Sequence, residues 1–328
     1  MTNIVVIGAG SWGSAIATAL LRANQQNQRI TVLARTQDSV DALEKGRCLR
    51  LPNTPPAMSI TATTDPACLK DANLIFLAVP VAANQDSLLM IGKQQKNQLL
   101  ATIVLCAKGI SKAVYDRPML LPELATYLLP TNPIAVFSGP SFADEVFAGL
   151  PAALVTASDS SATANQIQEA FEGSNLRLYS NDDPIGVSLA GAMKNVIAIA
   201  AGCAIGAGFG DNAKAAILTR GLAEMARFAT LMEAKTDTIF GLAGVGDLAL
   251  TCAGPHSRNM AFGIALGRGE TPSHNLAEGS RTVAELAKLG KSKGVDLPIT
   301  NAVDKLVNHG HDLHDIVARL LARRAGAE

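Results

Sequence analysis

The stretch "IVVIGAGSWGSAIATALL", residues 4–21, places Gly8, Gly10 and Gly13 in G-x-G-x-x-G spacing between an apolar run and an Ala-rich segment. The first glycine permits a tight turn, the second lets the main chain approach a pyrophosphate, and the third lets a helix pack against the preceding strand. The N–H groups at the start of that helix then face the phosphates. The stretch therefore predicts a dinucleotide site, with Ser11 and Trp12 at the helix start in contact with the ligand. The alternative is a glycine-rich turn that binds nothing.

The end of the next apolar run bears on which dinucleotide is bound. An NAD-specific site usually carries Asp or Glu at this position, where the acid binds the ribose hydroxyls. This chain has Ala34 and Arg35 instead. Arginine suits a 2′-phosphate, so the sequence favours NADPH over NADH. The alternative is that Arg35 stacks on the adenine and does not discriminate.

The first half of the chain alternates short β-branched runs with amphipathic helical stretches. Continuous apolar strands separated by helices indicate a parallel sheet that is covered on both faces. We predict an α/β fold, with an N-terminal Rossmann-like, doubly wound, mostly parallel sheet. The predicted strands are Ile4–Ile7, Ile30–Ala34, Ser59–Ala62, Leu74–Val79, Ile103–Cys106, Ile134–Phe137, Ala153–Thr156 and Leu176–Tyr179.

The pattern changes near Asp182, Asp183 and Pro184, after which no segment reads as a strand. We predict a dinucleotide-binding Rossmann-like domain over residues 1–182 and an all-helical C-terminal substrate and catalytic domain over residues 183–328. The predicted helices are Ile185–Ala207, Ala213–Ala234, Ala243–Leu250, Ser257–Leu266, Ser280–Lys288, Ile299–Val307 and Leu313–Arg323.

Composition excludes several classes of protein. The chain has 328 residues, of which 48% are hydrophobic, and its formal net charge is zero, so nothing attracts it to nucleic acid or to an anionic membrane. The five cysteines form no C-x-x-C pair and no zinc-spaced cluster, which indicates reduced thiols and no metal site. The apolar run at the N-terminus is too short for a signal peptide, and the longest apolar stretch after Lys194 is short of the roughly 20 residues of a membrane span. We expect a soluble, cytoplasmic protein.

A single lysine interrupts "AGAMKNVIAIAAG", residues 190–202. Lys194 has small or apolar neighbours one helical turn away on both sides, and burying an unpaired ammonium is costly. Asp247 lies in a similarly apolar, glycine-rich segment, so the chain offers one buried cation and one buried anion. Whether they meet cannot be read from their separation, and a lysine that extends to solvent is the alternative. The sign of any pKa shift on Lys194 is likewise open.

Three further segments carry polar groups where an α/β fold binds its ligands. Lys108 follows an apolar strand directly, and ligands of open sheets lie beyond the carboxyl ends of strands. "FSGPSFADEV" turns after another strand, and Ser141 is expected to cap the helix that follows. "PHSRN" combines the side chains of Ser257, Arg258 and Asn259 with free N–H groups at a predicted helix start, which suits a phosphate dianion. The alternatives are capping alone and a solvated arginine.

Together these motifs resemble one family, the bacterial NAD(P)-dependent glycerol-3-phosphate dehydrogenases. The resemblance implies interconversion of sn-glycerol 3-phosphate and dihydroxyacetone phosphate, chiefly to supply glycerophospholipid synthesis. The matching stretches follow the family's order over nearly the whole chain: "IGAGSWGSAIA", "LCAKGI", "SGPSFADEV", "GLPAAL", "IGVSLAGAMKNVIAIAAG", "GFGDNAKAAILTRGLAEM", "GLAGVGDLALTC" and "SRN".

The resemblance also implies roles for individual residues. Lys194 would be the proton donor and acceptor, with Lys108 and Asp247 also catalytic. The implied substrate-binding residues are Lys108, Gly139, Ser141, Lys194, Asn195, Asp247, Thr251, Ser257, Arg258 and Asn259. The implied cofactor-binding residues are Gly8, Gly10, Ser11, Trp12, Gly13, Arg35, Lys108, Ala143, Arg258, Leu276 and Glu278.

Some segments depart from the family's pattern. "LAEGSRT" replaces the usual "VEGxxT/N", and "GRGETPSHN" before it is shortened, which weakens the roles of Leu276 and Glu278. "VPV" at residues 79–81 stands where "VPS" is common, and Ser141 stands where threonine is also common. The apolar helical half favours a homodimer.

Two other functions remain open at this stage. A β-hydroxyacid dehydrogenase also pairs a Rossmann domain with a helical domain and a catalytic lysine, but it binds a carboxylate rather than a phosphate. A non-catalytic sensor that binds NAD(P)H would signal through a partner. "SRN" favours the phosphate, and a sensor has no need of both Lys108 and Lys194.

Overall fold

The computed structural model describes residues 1–23, 26–95, 100–114, 117–272, 277–313 and 316. Its strands are β1 (Thr2–Ile7), β2 (Gln28–Leu33), β3 (Ala62–Thr63), β4 (Leu74–Leu77), β5 (Thr102–Leu105), β6 (Ile110–Val114), β7 (Arg117–Leu120), β8 (Ile134–Ser138), β9 (Ala152–Ala157) and β10 (Leu176–Asn181). Its helices are α1 (Ser11–Ala23), α2 (Gln37–Glu44), α3 (Asn84–Gln94), α4 (Leu121–Leu128), α5 (Ala143–Ala148), α6 (Ser161–Ala170), α7 (Pro184–Gly206), α8 (Gly210–Leu231), α9 (Thr236–Phe240), α10 (Asp247–Thr251), α11 (Arg258–Gly267), α12 (Glu278–Ser292) and α13 (Pro298–Asn308).

Eight strands form one sheet in the order β10-β9-β8-β5-β4-β1-β2-β3. Every neighbouring pair is parallel except β8 and β9, which are antiparallel. β1 pairs with β2 on one side and with β4 on the other, so the strand order reverses beside it. Such a reversal opens a crevice at the carboxyl ends of the strands, where ligands of this architecture bind. The predicted Rossmann-like, mostly parallel sheet is confirmed.

The helical half is built around α7, in which nineteen of 23 residues are buried. The helix begins with Pro184, and the Asp183 side chain accepts a hydrogen bond from the Gly186 N–H at 2.8 Å, which caps its first turn. By length and composition α7 could cross a membrane, but 83% of its apolar 18-residue segment is buried inside the protein. That burial is typical of the core helix of a soluble protein. The predicted helical C-terminal domain is confirmed.

Several elements differ from the sequence predictions. The predicted strand Ser59–Ala62 shares only Ala62 with the two-residue β3, and the predicted helix Ala243–Leu250 is a π-helical turn over residues 242–246 followed by α10. Gly244 is needed in this wide turn, because a Cβ there would overlap the main-chain oxygen of Ile239. The short helix α9 was not predicted. Most of the predicted helix Leu313–Arg323 lies outside the described residues.

A β-hairpin inserted between β5 and β8 was also not predicted. β6 and β7 pair antiparallel as a separate two-stranded sheet. Their runs are short and contain charged residues, so the apolar pattern is weak. Ile110 and Leu120 are nevertheless buried in the same hydrophobic cluster as α7 and α12. The hairpin therefore carries part of the first half of the chain into the core of the helical half.

Candidate active site

The centre of the site is one carboxylate that binds two lysines. Lys194 Nζ donates to Asp247 Oδ1 at 2.7 Å, and Lys108 Nζ donates to Asp247 Oδ2 at 2.6 Å. Asp247 is 1% exposed and Lys194 is 7% exposed, so both charges are removed from water. The interrupting lysine of α7 is thus a buried, paired cation and does not extend to solvent. The cluster therefore contains two cations and one anion.

Two further groups fix the lysine side chains. Lys194 Nζ also donates to Thr251 Oγ1 at 2.7 Å, and the Thr251 hydroxyl donates to the main-chain oxygen of Asp247 at 2.6 Å. Lys108 Nζ donates to the main-chain oxygen of Gly139 at 3.1 Å. The link between Thr251 and Lys194 was not foreseen, although the i, i+4 spacing of Asp247 and Thr251 places them on one helix face.

The parallel sheet explains how these groups meet. Lys108 follows β5 and Gly139 follows β8, and these two strands are parallel neighbours. Their carboxyl ends therefore lie side by side and present both residues to the same crevice. From the helical half, α7 contributes Lys194 and α10 begins at Asp247. The site thus lies where the sheet meets the helical half.

Burial and neighbouring charges shift the pKa values of Lys194 and Asp247 in opposite directions. Burial lowers the pKa of Lys194 from 10.5 to about 8, while Asp247 opposes the change and Lys108 adds to it. Burial alone would raise the pKa of Asp247, but Lys108 and Lys194 outweigh it and hold that pKa below its usual value. The sign that the sequence left open is therefore settled by desolvation.

The "SRN" segment forms the start of α11, as predicted. Ser257 precedes the helix, and its Oγ accepts a hydrogen bond from the Met260 N–H at 3.4 Å, so it acts as the cap. Arg258 is exposed, whereas Asn259 is 9% exposed and hydrogen-bonded within the protein. Asn195, next to Lys194 on α7, is also buried and internally bonded. Arg258 therefore presents its charge to solvent at this helix start.

The predicted cap at Ser141 is wrong. α5 begins at Ala143, and the preceding residue, Phe142, makes no side-chain capping bond. Ser141 Oγ instead lies 3.3 Å from the main-chain oxygen of Gly139. Its hydroxyl is thereby held beside the carbonyl that binds Lys108.

The fingerprint glycines fit a dinucleotide. Gly8 has φ +114, and a Cβ there would lie 2.6 Å from the main-chain oxygen of Ala78. A Cβ at Gly13 would overlap the Gly8 carbonyl, whereas a Cβ at Gly10 would meet nothing within 4 Å. Two glycines thus serve the turn and the packing of α1, and the third faces open space. That space at the start of α1 is where a pyrophosphate approaches the main chain.

The other predicted cofactor residues lie in several elements. Ser11 Oγ donates to the main-chain oxygen of Arg50 at 3.4 Å, and the Trp12 ring stacks on Phe137 with centroids 6.2 Å apart. Arg35 is exposed beyond the end of β2, and Ala143 and Glu278 begin α5 and α12. Leu276 lies outside the described residues.

Glu278 belongs electrostatically to the cluster. Burial raises the pKa of Glu278, against the lowering effects of Arg258, Lys108 and Lys194. Glu278 in turn raises the pKa of Lys194 slightly. The predicted cofactor residue Glu278 and the predicted phosphate residue Arg258 therefore act on the same site.

Comparison with known proteins identifies the family. A model of the NAD-dependent glycerol-3-phosphate dehydrogenase N-terminus matches residues 3–164, and one of the C-terminus matches residues 183–318. The chain belongs to the NAD-dependent glycerol-3-phosphate dehydrogenase family. It is accordingly an NAD(P)-dependent oxidoreductase of that family, and the resemblance seen in the motifs is confirmed.

Individual relatives are similar over nearly their full length. The chain is 40% identical to the glycerol-3-phosphate dehydrogenase [NAD(P)+] of Agrobacterium fabrum, over 98% of this chain and 97% of the relative. It is also 40% identical to the enzyme of that name from a Chelativorans species, over 99% and 98% of the two chains. The crystal structure of the Coxiella burnetii glycerol-3-phosphate dehydrogenase superposes with a TM-score of 0.88 at 35% identity, covering 98% of this chain and 99% of that one.

Proposed function

We propose that this chain interconverts sn-glycerol 3-phosphate and dihydroxyacetone phosphate with NAD(P)H, and that Lys194 exchanges the proton. The observation that carries the proposal is the buried Lys194, held between Asp247 and Thr251, with a pKa of about 8. A proton donor works best when its pKa lies near the ambient pH. An ordinary exposed lysine, with a pKa above about 10, does not meet that condition.

The bound cofactor supplies or accepts the hydride, and the protein supplies position and charge. During reduction, negative charge develops on the oxygen of the substrate ketone. Lys194 donates its proton to this oxygen, and in the reverse direction it accepts the proton of the alcohol. Lys108 adds positive charge at the same place, and its bonds to Asp247 and Gly139 fix its position before the reaction begins.

The phosphate of the substrate binds at the start of α11. Arg258 offers an exposed guanidinium there, and the N–H groups of the first helical turn favour a dianion. Lys108 and Lys194 together carry more positive charge than Asp247 neutralises, and this excess also favours binding of the dianion. We assign Ser141, Ser257 and Gly139 to the rest of the substrate site. A substrate without the phosphate leaves these donors unpaired and is turned over poorly.

The cofactor lies along the start of α1, and the preferred form is NADPH. Gly10 leaves the main chain open to the pyrophosphate, and Ser11 and Trp12 lie beside it. Arg35 is exposed at the position where NAD-specific sites carry an acid, so its charge binds the 2′-phosphate. We also assign Ala143 and Glu278, which begin α5 and α12, to the cofactor site, together with Leu276, which lies outside the described residues.

The same proposal extends to the chain as a whole. We assign residues 1–182 as the dinucleotide-binding domain, which also contributes Lys108, Gly139 and Ser141 to the substrate site, and residues 183–328 as the substrate and catalytic domain, which contributes Lys194. The enzyme acts in the cytoplasm as a homodimer and provides glycerol 3-phosphate for glycerophospholipid synthesis. Size measurement in solution tests the dimer.

Spectrophotometric rates of NAD(P)H oxidation test the proposed reaction. We expect rapid turnover of dihydroxyacetone phosphate, slow turnover of dihydroxyacetone and none of 2-methyl-3-oxopropanoate, with a higher kcat/KM for NADPH than for NADH. Lys194→Ala should abolish kcat but leave cofactor binding intact, and Arg258→Ala should mainly raise KM for dihydroxyacetone phosphate. Faster reduction of the carboxylate substrate would point to a β-hydroxyacid dehydrogenase instead, and no turnover of any ketone would point to a sensor.

A further inference from the structure

Two buried asparagines connect the start of α12 to the main chain of Lys108 through three consecutive hydrogen bonds. The Gly279 N–H donates to Asn259 Oδ1 at 2.9 Å, Asn259 Nδ2 donates to Asn195 Oδ1 at 2.9 Å, and Asn195 Nδ2 donates to the main-chain oxygen of Lys108 at 3.2 Å. Asn195 is 3% exposed and Asn259 is 9% exposed. We call these three bonds the amide relay.

The direction of the relay is fixed by its ends. At one end stands a main-chain N–H of Gly279, which can only donate, and at the other stands a main-chain carbonyl of Lys108, which can only accept. Each carboxamide between them must therefore turn its oxygen toward Gly279 and its nitrogen toward Lys108. Reversing either amide would oppose two donors or two acceptors in a buried place, which is costly.

The face of α7 that carries Asn195 is adapted to Lys108. Gly191 lies one turn before Asn195, and a Cβ at Gly191 would stand 3.3 Å from Lys108 Cγ. Gly191 thus leaves room for the Lys108 side chain, and Asn195 binds the Lys108 main chain. A Cβ at Gly279 would lie 2.8 Å from the main-chain oxygen of Asn195, so α12 also begins directly against this turn of α7.

We propose that Asn195 is a positioning residue for Lys108, and that Asn259 orients Asn195. Lys108 lies in the loop after β5, outside any regular element, so hydrogen bonds must fix its main chain. The relay ties that loop to the starts of α11 and α12, which carry Arg258 and Glu278. This inference rests on the proposed function, because the position of Lys108 matters for the rate only if Lys108 acts on the substrate.

A double-mutant cycle tests whether Asn195 acts through Lys108. The kcat for dihydroxyacetone phosphate is measured for wild type, Asn195→Ala, Lys108→Ala and the double variant. We expect Asn195→Ala to lower kcat about 10- to 100-fold, since displacements of about 1 Å have effects of that size. In the Lys108→Ala background the same substitution should have little further effect, because the group that it positions is gone. Fully additive losses would mean that Asn195 acts independently of Lys108, and the proposal would be wrong.

The control is Asn132→Ala. Asn132 Nδ2 also donates to a main-chain oxygen, that of Ala101 at 2.9 Å, but Asn132 precedes β8 and Ala101 precedes β5, whereas the site lies at the other ends of these strands. Its loss should change kcat less than about twofold. A comparable fall in kcat for Asn132→Ala would show that any lost amide bond slows the enzyme.

A crystal structure of Asn195→Ala provides a readout that does not depend on the reaction. We expect the Lys108 ammonium to leave Asp247, or to become disordered, while the Lys194 bond to Asp247 persists. An unchanged Lys108 position would overturn the proposal even if the rate fell. Because wild-type turnover of dihydroxyacetone phosphate is measured separately, failure of the proposed function is distinguished from failure of the relay.

Discussion

Asp247→Asn removes the anion that is bound to both site lysines and keeps the shape of the side chain. At a separation of 2.7 Å, the carboxylate and the Lys194 ammonium attract by about 6 kcal/mol if the effective dielectric constant is about 20. This figure is an upper limit, because the amide oxygen still accepts a hydrogen bond. Breaking a buried ion pair typically costs about 3–5 kcal/mol, and we expect a loss of stability of that order.

The same substitution should move the pH dependence of the reduction. In the wild type, Lys194 must be protonated to act as the donor, so kcat/KM for dihydroxyacetone phosphate falls as the pH rises through its pKa of about 8. The protonated fraction then falls about tenfold between about pH 7 and about pH 9. Asp247 raises the pKa of Lys194, so its loss lowers that pKa, and the fall in rate begins at lower pH. In the oxidative direction, which needs neutral Lys194, the rise in rate also moves to lower pH.

Initial rates across pH, together with urea denaturation at neutral pH, measure both effects. Asp182→Asn is the matched control, because Asp182 binds Lys235 at 2.6 Å in an exposed ion pair with side chains 74% and 56% exposed. That variant should keep the wild-type pH profile and stability. If Asp247→Asn kept the wild-type pH profile, either Lys194 would not be the titrating donor or Asp247 would not control it.

Three other predictions concern separate parts of the molecule. Gly13→Ala should destabilise the fold, whereas Gly10→Ala, whose Cβ meets nothing within 4 Å, should leave the thermal unfolding temperature unchanged and raise KM for the cofactor; equal stabilities of the two variants would contradict this. Glu224 is fully buried and accepts two N–H groups of the first turn of α13, so Glu224→Gln should cost about 1–3 kcal/mol in urea denaturation, while Glu169→Gln on the exposed face of α6 should cost nothing measurable. Arg35→Ala should raise KM for NADPH about tenfold and leave KM for NADH nearly unchanged, and an equal rise for both cofactors would assign Arg35 to adenine stacking.

Local chemistry made part of the site predictable. The fingerprint could be read from spacing, because three glycines serve three mechanical needs within six residues. Lys194 and Asp247 could each be singled out as charges in apolar surroundings. Their contact could not be predicted, because it joins residues 53 positions apart and depends on how α7 and α10 pack.

The remaining misses have the same physical origin. Ser141 has a suitable side chain for a helix cap, but the main chain begins α5 two residues later, and the hydroxyl turns back to Gly139. The hydrogen-bond partners of Asn195 and Asn259 could not be predicted either, because the resemblance assigns both residues to the substrate site and the sequence gives no sign of what else they bind. Only their neighbours in space reveal that both amides are bonded to protein groups. Tertiary packing, which sequence patterns do not encode locally, decides each of these cases.

The hairpin of β6 and β7 has a consequence for how the gene can be divided. Ile110 and Leu120 are encoded with the cofactor-binding half, yet they are buried among the helices of the other half. A fragment that ends near residue 182 would expose the apolar face of the hairpin to solvent. A helical half expressed without the hairpin would lack Ile110 and Leu120 in its hydrophobic core. The two halves therefore cannot be exchanged independently between relatives. A chimaera should remain functional only when the hairpin and the helical half come from the same protein.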